Sequence, residues 1–99
     1  LSFKQCVMGE QTAPTPDFNQ LLNEIRRLQQ LQEMPHRVAL CEQALALVDR
    51  EQNPELWADL QNRLGVSLWK NPLGDRAENL ERAIAAYEAA LQVYTRKAF

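Results

Sequence analysis

His36 and Cys41 are the side chains best suited to nucleophilic or acid–base chemistry, and the five-residue step between them argues against it. Both fall on one predicted helix, where residues three or four apart share a face and residues five apart do not. A thiol activated by imidazole needs the pair within hydrogen-bond reach and a third group to orient the base. One His near a helix start assembles no such set, so no catalytic residue is expected. Cys6, Cys41 and His36 lack the paired spacing of a zinc site, and no acidic run has the spacing of a calcium loop. Neither a metal nor a cofactor is expected. The doublet Arg26-Arg27, with Glu24 and Glu33 nearby, reads first as solvated helix surface and second as a contact for an acidic partner.

With chemistry set aside, composition bounds the class of chain. The 99 residues fit one domain, and 45% hydrophobic with 24% charged residues is ordinary globular usage. Three Gly and an abundance of Ala, Leu, Gln, Glu and Arg favour an all-α chain. Eleven basic against thirteen acidic residues, interspersed, give a net charge of −2 and no footprint for nucleic acid or an anionic membrane. No apolar run approaches the ~20 residues of a membrane span. Leu1 to Met8 is too short and too polar for a signal sequence, and a start at Leu1 reads as a fragment or trimmed product. With two cysteines, one on an apolar helical face, a reducing cytoplasm is the expected setting.

The predicted elements are punctuated by proline. Residues 1–15 read as an arm or linker, in which Leu1, Phe3, Val7 and Met8 could dock. Thr15 as N-cap, Pro16 at the first helical position and Asp17 in the first turn open a helix. Its stripe is Phe18, Leu21, Leu22, Ile25, Leu28 and Leu31, and Pro35 closes it. Pro35 then opens a second helix to Asp49 or Arg50, with Met34, Val38, Cys41, Leu45 and Val48 as its apolar line. Asn53-Pro54-Glu55 launches a third, with Leu56, Trp57, Leu60, Leu64 and Leu68 on one side, and Asn71-Pro72-Leu73-Gly74 stops it. Asp75 facing Glu78 resembles a capping box for a fourth, whose apolar line is Leu80, Ile84, Tyr87, Leu91 and Tyr94.

The second and fourth helices repeat. A shift of 46 places Met34 on Leu80, Val38 on Ile84, Cys41 on Tyr87, Ala44 on Ala90, Leu45 on Leu91 and Val48 on Tyr94. The first helix falls on the third with a shift of 43, setting Phe18 on Gln61, Leu21 on Leu64 and Ile25 on Leu68. Two antiparallel helix hairpins, residues 16–50 and 54–97, are the unit of an α-solenoid, and four helices in such a fragment are the expected fold.

Between Trp57 and Tyr94 the residues become specific. Leu64-Gly65 followed by Leu68, then Ala83, Tyr87, Ala90 and Leu91, resemble the tetratricopeptide repeat, a family of right-handed helical stacks. Gly65 has a mechanical reason to be there, since a residue without a side chain lets the next helix approach closely. The 18-residue gap from Gly65 to Ala83 is similar to the longer-linker variety found in bacterial arrays, often beside a caspase-like CHAT domain. The first hairpin departs from the pattern, with Leu22 at the glycine position and Arg37 at the first small position, as a cap or degenerate repeat would.

The resemblance implies a non-catalytic protein-interaction module that binds a protein or peptide segment along a concave face lined by the first helix of each hairpin. Carried over from Gly65, that face presents Asp59, Asn62, Val66 and Trp69, and on the first hairpin Asn19, Asn23 and Arg26. An Asn amide can both donate to and accept from an extended backbone, and a Trp supplies a broad, stiff contact. Trp57 is expected to pack between units. The alternative is a scaffold or oligomerisation module, with Leu91 and Tyr94 on the open end of the last helix pairing with another copy in a homodimer or with the next repeat of a longer protein.

Overall fold

The computed structural model describes residues 17–98, with side chains through Thr95. The expected arm over 1–15, with Cys6, and the expected Thr15-Pro16 start lie outside the described residues. Within them the chain is all-α: α1 (Phe18–Arg27), α2 (Met34–Leu47), α3 (Pro54–Lys70) and α4 (Arg76–Ala98), packed on one another in chain order.

Asp17 is the N-cap of α1 and not a member of its first turn. The helix ends earlier than its apolar stripe suggests. Leu28 turns to extended backbone, and a short 3₁₀ turn, Leu31–Glu33, precedes α2. The Glu33 carboxylate accepts from the backbone N–H of Gln29 and Gln30, satisfying donors that a longer α1 would have used internally. Leu31, expected on the stripe, is therefore 58% exposed. Met34 becomes the first residue of α2 with Pro35 behind it, where proline's missing N–H costs nothing. That helix stops at Leu47, short of the expected Asp49 or Arg50.

Pro54 opens α3, although the Asn53 side chain makes no cap bond. The turn into α4 is heavily built. Asn71 Oδ1 accepts from Leu73 N–H, Gly74 sits at φ +82° where a side chain is disfavoured, and Asn79 Nδ2 donates to Leu73 O at 2.8 Å. Asp75 Oδ1 accepts from Ala77 N–H at 2.9 Å and from Glu78 N–H at 3.5 Å, as the capping pattern predicts.

One core joins all four helices. Leu21, Ile25 and Leu28 meet Val38, Leu40, Cys41 and Ala44, then Leu60, Leu64 and Leu68, then Ala83 and Ala86. Each fully buried large side chain among them contributes roughly 1.5–3 kcal/mol of transfer free energy. α3 and α4 run antiparallel: Arg76 reaches Trp69 O, Tyr87 lies on Gly65, and Ala90 and Val93 cluster with Ala58. α2 and α4 keep the opposite relation, since Arg82 pairs with Glu42 and Arg50 in the link after α2 donates to Gln92 at 3.2 Å.

The face of α4 differs from the expected one. Its buried residues are Asn79, Ala83, Ala86, Ala90 and Val93, while Ile84, Leu91 and Tyr94 are 56%, 58% and 43% exposed. Small residues on the inner face let the two helices approach closely, and the half-buried Tyr87 ring lies against Gly65. A Cβ added there would stand 2.8 Å from Tyr87 Cε1.

Candidate functional site

The outward side of α3 carries four of the expected site residues. Asp59, Asn62, Val66 and Trp69 recur at helical spacing on its outward face. Asn62 is exposed, Val66 half-buried, and Trp69 is 49% exposed at the end of the row. Trp69 stands beside the α3–α4 turn, where Arg76 bonds its carbonyl and Leu73 is also exposed. Asp59 is less available than the others. Its Oδ2 accepts from Arg63 Nε at 2.9 Å in an i,i+4 ion pair, leaving Asn62 and Trp69 as the side chains of the row with no polar or ring partner among the described residues.

Asn19, Asn23 and Arg26 are all exposed on α1. α1 packs on α2, and no comparable packing joins α1 to α3, so the two rows connect through the shared core and not side by side. Asn23 instead lines a shallow cleft of about 520 Å³ between α1 and α2 with Gln20, Glu24, Arg27 and His36. The Arg27 guanidinium, hydrogen-bonded to Glu24, holds that carboxyl below its ordinary value, and Glu24 in turn raises Arg27. That pair satisfies itself at the surface.

Trp57 is half-buried against Ala58, Ala90 and Val93, and the Arg50 guanidinium lies 4.6 Å from its ring centroid. Its contacts therefore join the link after α2 to the second hairpin, a cation–π contact of modest strength. Leu91 lines a second open cleft of about 550 Å³ with Arg50, Glu88, Gln92 and Thr95. Tyr94 is exposed on the same helix.

Cys41 is fully buried, and burial pushes its thiol up to about 11, with Arg37 and Arg63 opposing. A thiol so placed is protonated at neutral pH and is a weak nucleophile. His36 is exposed at the start of α2, away from it. Among the described residues no three His, Cys, Asp or Glu side chains gather as a metal would need, and no helix is long and apolar enough to cross a membrane.

Sequence reasoning missed the interior position of Arg37. It is 9% exposed, and the sequence signal was its place at a position where the matching residue in α4 is Ala83. No protein-family model, curated protein or solved structure matches the chain.

Proposed function

We propose that this chain is a non-catalytic, tetratricopeptide-like interaction module that holds an extended protein or peptide segment along the outward face of α3. The observation that carries the reading is the pairing of an uncommitted Asn62 amide with a half-exposed Trp69 indole on one rigid helix. The amide can bond a passing backbone, and the indole supplies the apolar contact that dominates small interfaces. Because α3 is braced on both sides by α2 and α4, the surface is ordered before a partner arrives. The ordering cost then falls on the partner's segment alone. Asn19, Asn23 and Arg26 offer a separate exposed row on α1 in this reading, within a solenoid of two hairpins in a reducing cytoplasm. The test is the double variant Asn62→Ala, Trp69→Ala: binding of a captured partner is lost while the thermal midpoint stays within a few degrees. Loss of the fold in that variant would sink the assignment.

A second reading has its own support. Val38 and Cys41 are buried on α2, whereas their counterparts Ile84 and Tyr87 on α4 are exposed and half-buried. A helix face covered in one unit and bare in the next suits self-association through Leu91 and Tyr94 in a scaffold. Light scattering over a concentration range distinguishes the two.

A further inference from the structure

A guanidinium keeps its charge at any ordinary pH, and burying it without a partner is costly, so buried arginines are paired in most proteins. Arg37 is not. It is 9% exposed, its Nε is buried with no hydrogen-bond partner, and among the described residues no ion pair or hydrogen bond reaches its side chain. Burial holds its guanidinium below the ordinary value, Arg63 pushes the same way, and Cys41 and Asp59 oppose. Arg37 stands in the repeat register of Ala83, a buried small residue that packs the second hairpin adequately. Packing therefore does not explain a cation there.

The surroundings complete the picture. From α3, Arg63 and Asp59 face Arg37, but the Asp59 carboxylate is committed to Arg63 Nε. Cys41 is a neutral thiol, and Ser67 donates its hydroxyl proton to Arg63 O at 2.8 Å. Two cations thus share one carboxylate at the seam of α2 and α3. The seam reaches solvent through the Arg63 and Asp59 side chains, 30% and 41% exposed, beside the row that ends at Trp69.

We infer that Arg37 and Arg63 together receive a carboxylate from an acidic peptide segment lying along α3. This rests on the groove reading of that face. Arg63 and Trp69 are six residues apart, roughly 9 Å along the helix axis and about 120° apart around it, so side chains at a radius of ~5.5 Å stand roughly 13 Å apart, which an extended chain covers in about four residues. The segment therefore carries an Asp or Glu about four residues from a large apolar side chain that seats on Trp69.

The test presents the full chain with a positional library of acetylated, amidated heptapeptides, so that only side-chain carboxylates compete. Wild type is expected to enrich an acidic residue about four positions from an aromatic or leucine. Replacing that Asp or Glu by its amide should weaken binding about tenfold, the scale of a charge-assisted bond. Arg37→Met is expected to keep the apolar preference and lose the acidic one, with a thermal midpoint equal to or above wild type. Arg63→Gln, at a partly exposed position, should weaken acidic selection too and guards against a folding defect in the first variant. Apolar selection without acidic selection in wild type overturns the Arg37 assignment and leaves the groove standing. An acidic preference that survives Arg37→Met overturns it as well. No selection that Asn62→Ala with Trp69→Ala removes overturns both.

Discussion

Gly65→Ala is the substitution whose outcome the structure works out most directly, because two opposing terms can be given magnitudes. In an exposed helix interior the change would stabilise by roughly 0.5–1 kcal/mol through reduced backbone entropy. Here the new Cβ would lie 2.8 Å from Tyr87 Cε1, 2.9 Å from Cδ1 and 3.0 Å from Cζ, closer than carbon atoms pack. Forcing extra bulk into such a contact costs about 1–3 kcal/mol. Tyr87 is half-buried, so its ring can yield part of the way toward solvent, which places the cost in the lower half of that range. The net expectation is a loss of about 1 kcal/mol, a fall of roughly 4–8 °C in the midpoint of a domain this size. Urea and thermal unfolding followed by circular dichroism measure it. The same change in a Tyr87→Leu background, which removes Cε1 and Cζ, should be neutral or stabilising. A cycle of the four proteins then yields a coupling of about 1 kcal/mol or more. Stabilisation by Gly65→Ala in the wild-type background would refute the close-approach argument.

Other outcomes follow from single features. Asp75→Ala removes the acceptor for Ala77 and Glu78 N–H at the start of α4 and should cost about 1 kcal/mol, read in the same unfolding assay. Cys41 should resist alkylation at pH 8 in the native chain and react only as fast as the chain opens, which peptide mapping by mass spectrometry would follow; rapid labelling of the folded protein contradicts its burial. Because the Cys41 thiol is raised from 9.0 to about 11 by folding, the stability linked to it is complete below pH 9 and is lost as pH rises through 11. Denaturant midpoints for wild type and Cys41→Ala should therefore diverge less at pH 11 than at pH 8. Tyr94→Glu should leave light-scattering mass unchanged if the chain is a monomer and halve it if α4 mediates pairing.

Local punctuation made much of the fold legible, and tertiary forces hid the rest. Asn53-Pro54 and Gly74-Asp75 mark the starts of α3 and α4 in the sequence because caps and proline geometry act over three or four residues. The end of α1 had no such mark. Gln29 and Gln30 break no helix by themselves, and what stops α1 is the Glu33 carboxylate capturing their N–H groups while Leu28 and Met34 are drawn into the core. The row Asn62, Val66, Trp69 followed from a register set by Gly65, a position whose tightness the structure bears out. That Asp59 would already be engaged by Arg63 was also within reach, as an i,i+4 acid and base. The depth of Arg37 was not, because periodicity assigns faces from apolar residues and has nothing to say about a cation buried among them.

The exposed line on α4 decides how the two functional readings weigh. Hydrophobicity alone would turn Ile84 and Leu91 inward, yet alanines occupy that side, where α3 and α4 pack closely, Ala90 and Val93 meet Ala58, and the Tyr87 ring fills the space over Gly65. The large residues are displaced outward by packing geometry, so their exposure does not by itself require a partner. Ile84, Leu91 and Tyr94 are each about half exposed. Taking ~200 Å² for a whole large side chain, the three offer roughly 300 Å². Two copies pairing through this line alone would bury about 600 Å², well under the ~1,200 Å² at which specific association becomes stable. Extended-segment recognition works with less surface, since a row of backbone bonds and one aromatic anchor can hold a strand of a few residues. On area, then, a homodimer through Leu91 and Tyr94 must recruit surface beyond the line itself, of which the Arg50 and Thr95 cleft beside Leu91 is the nearest.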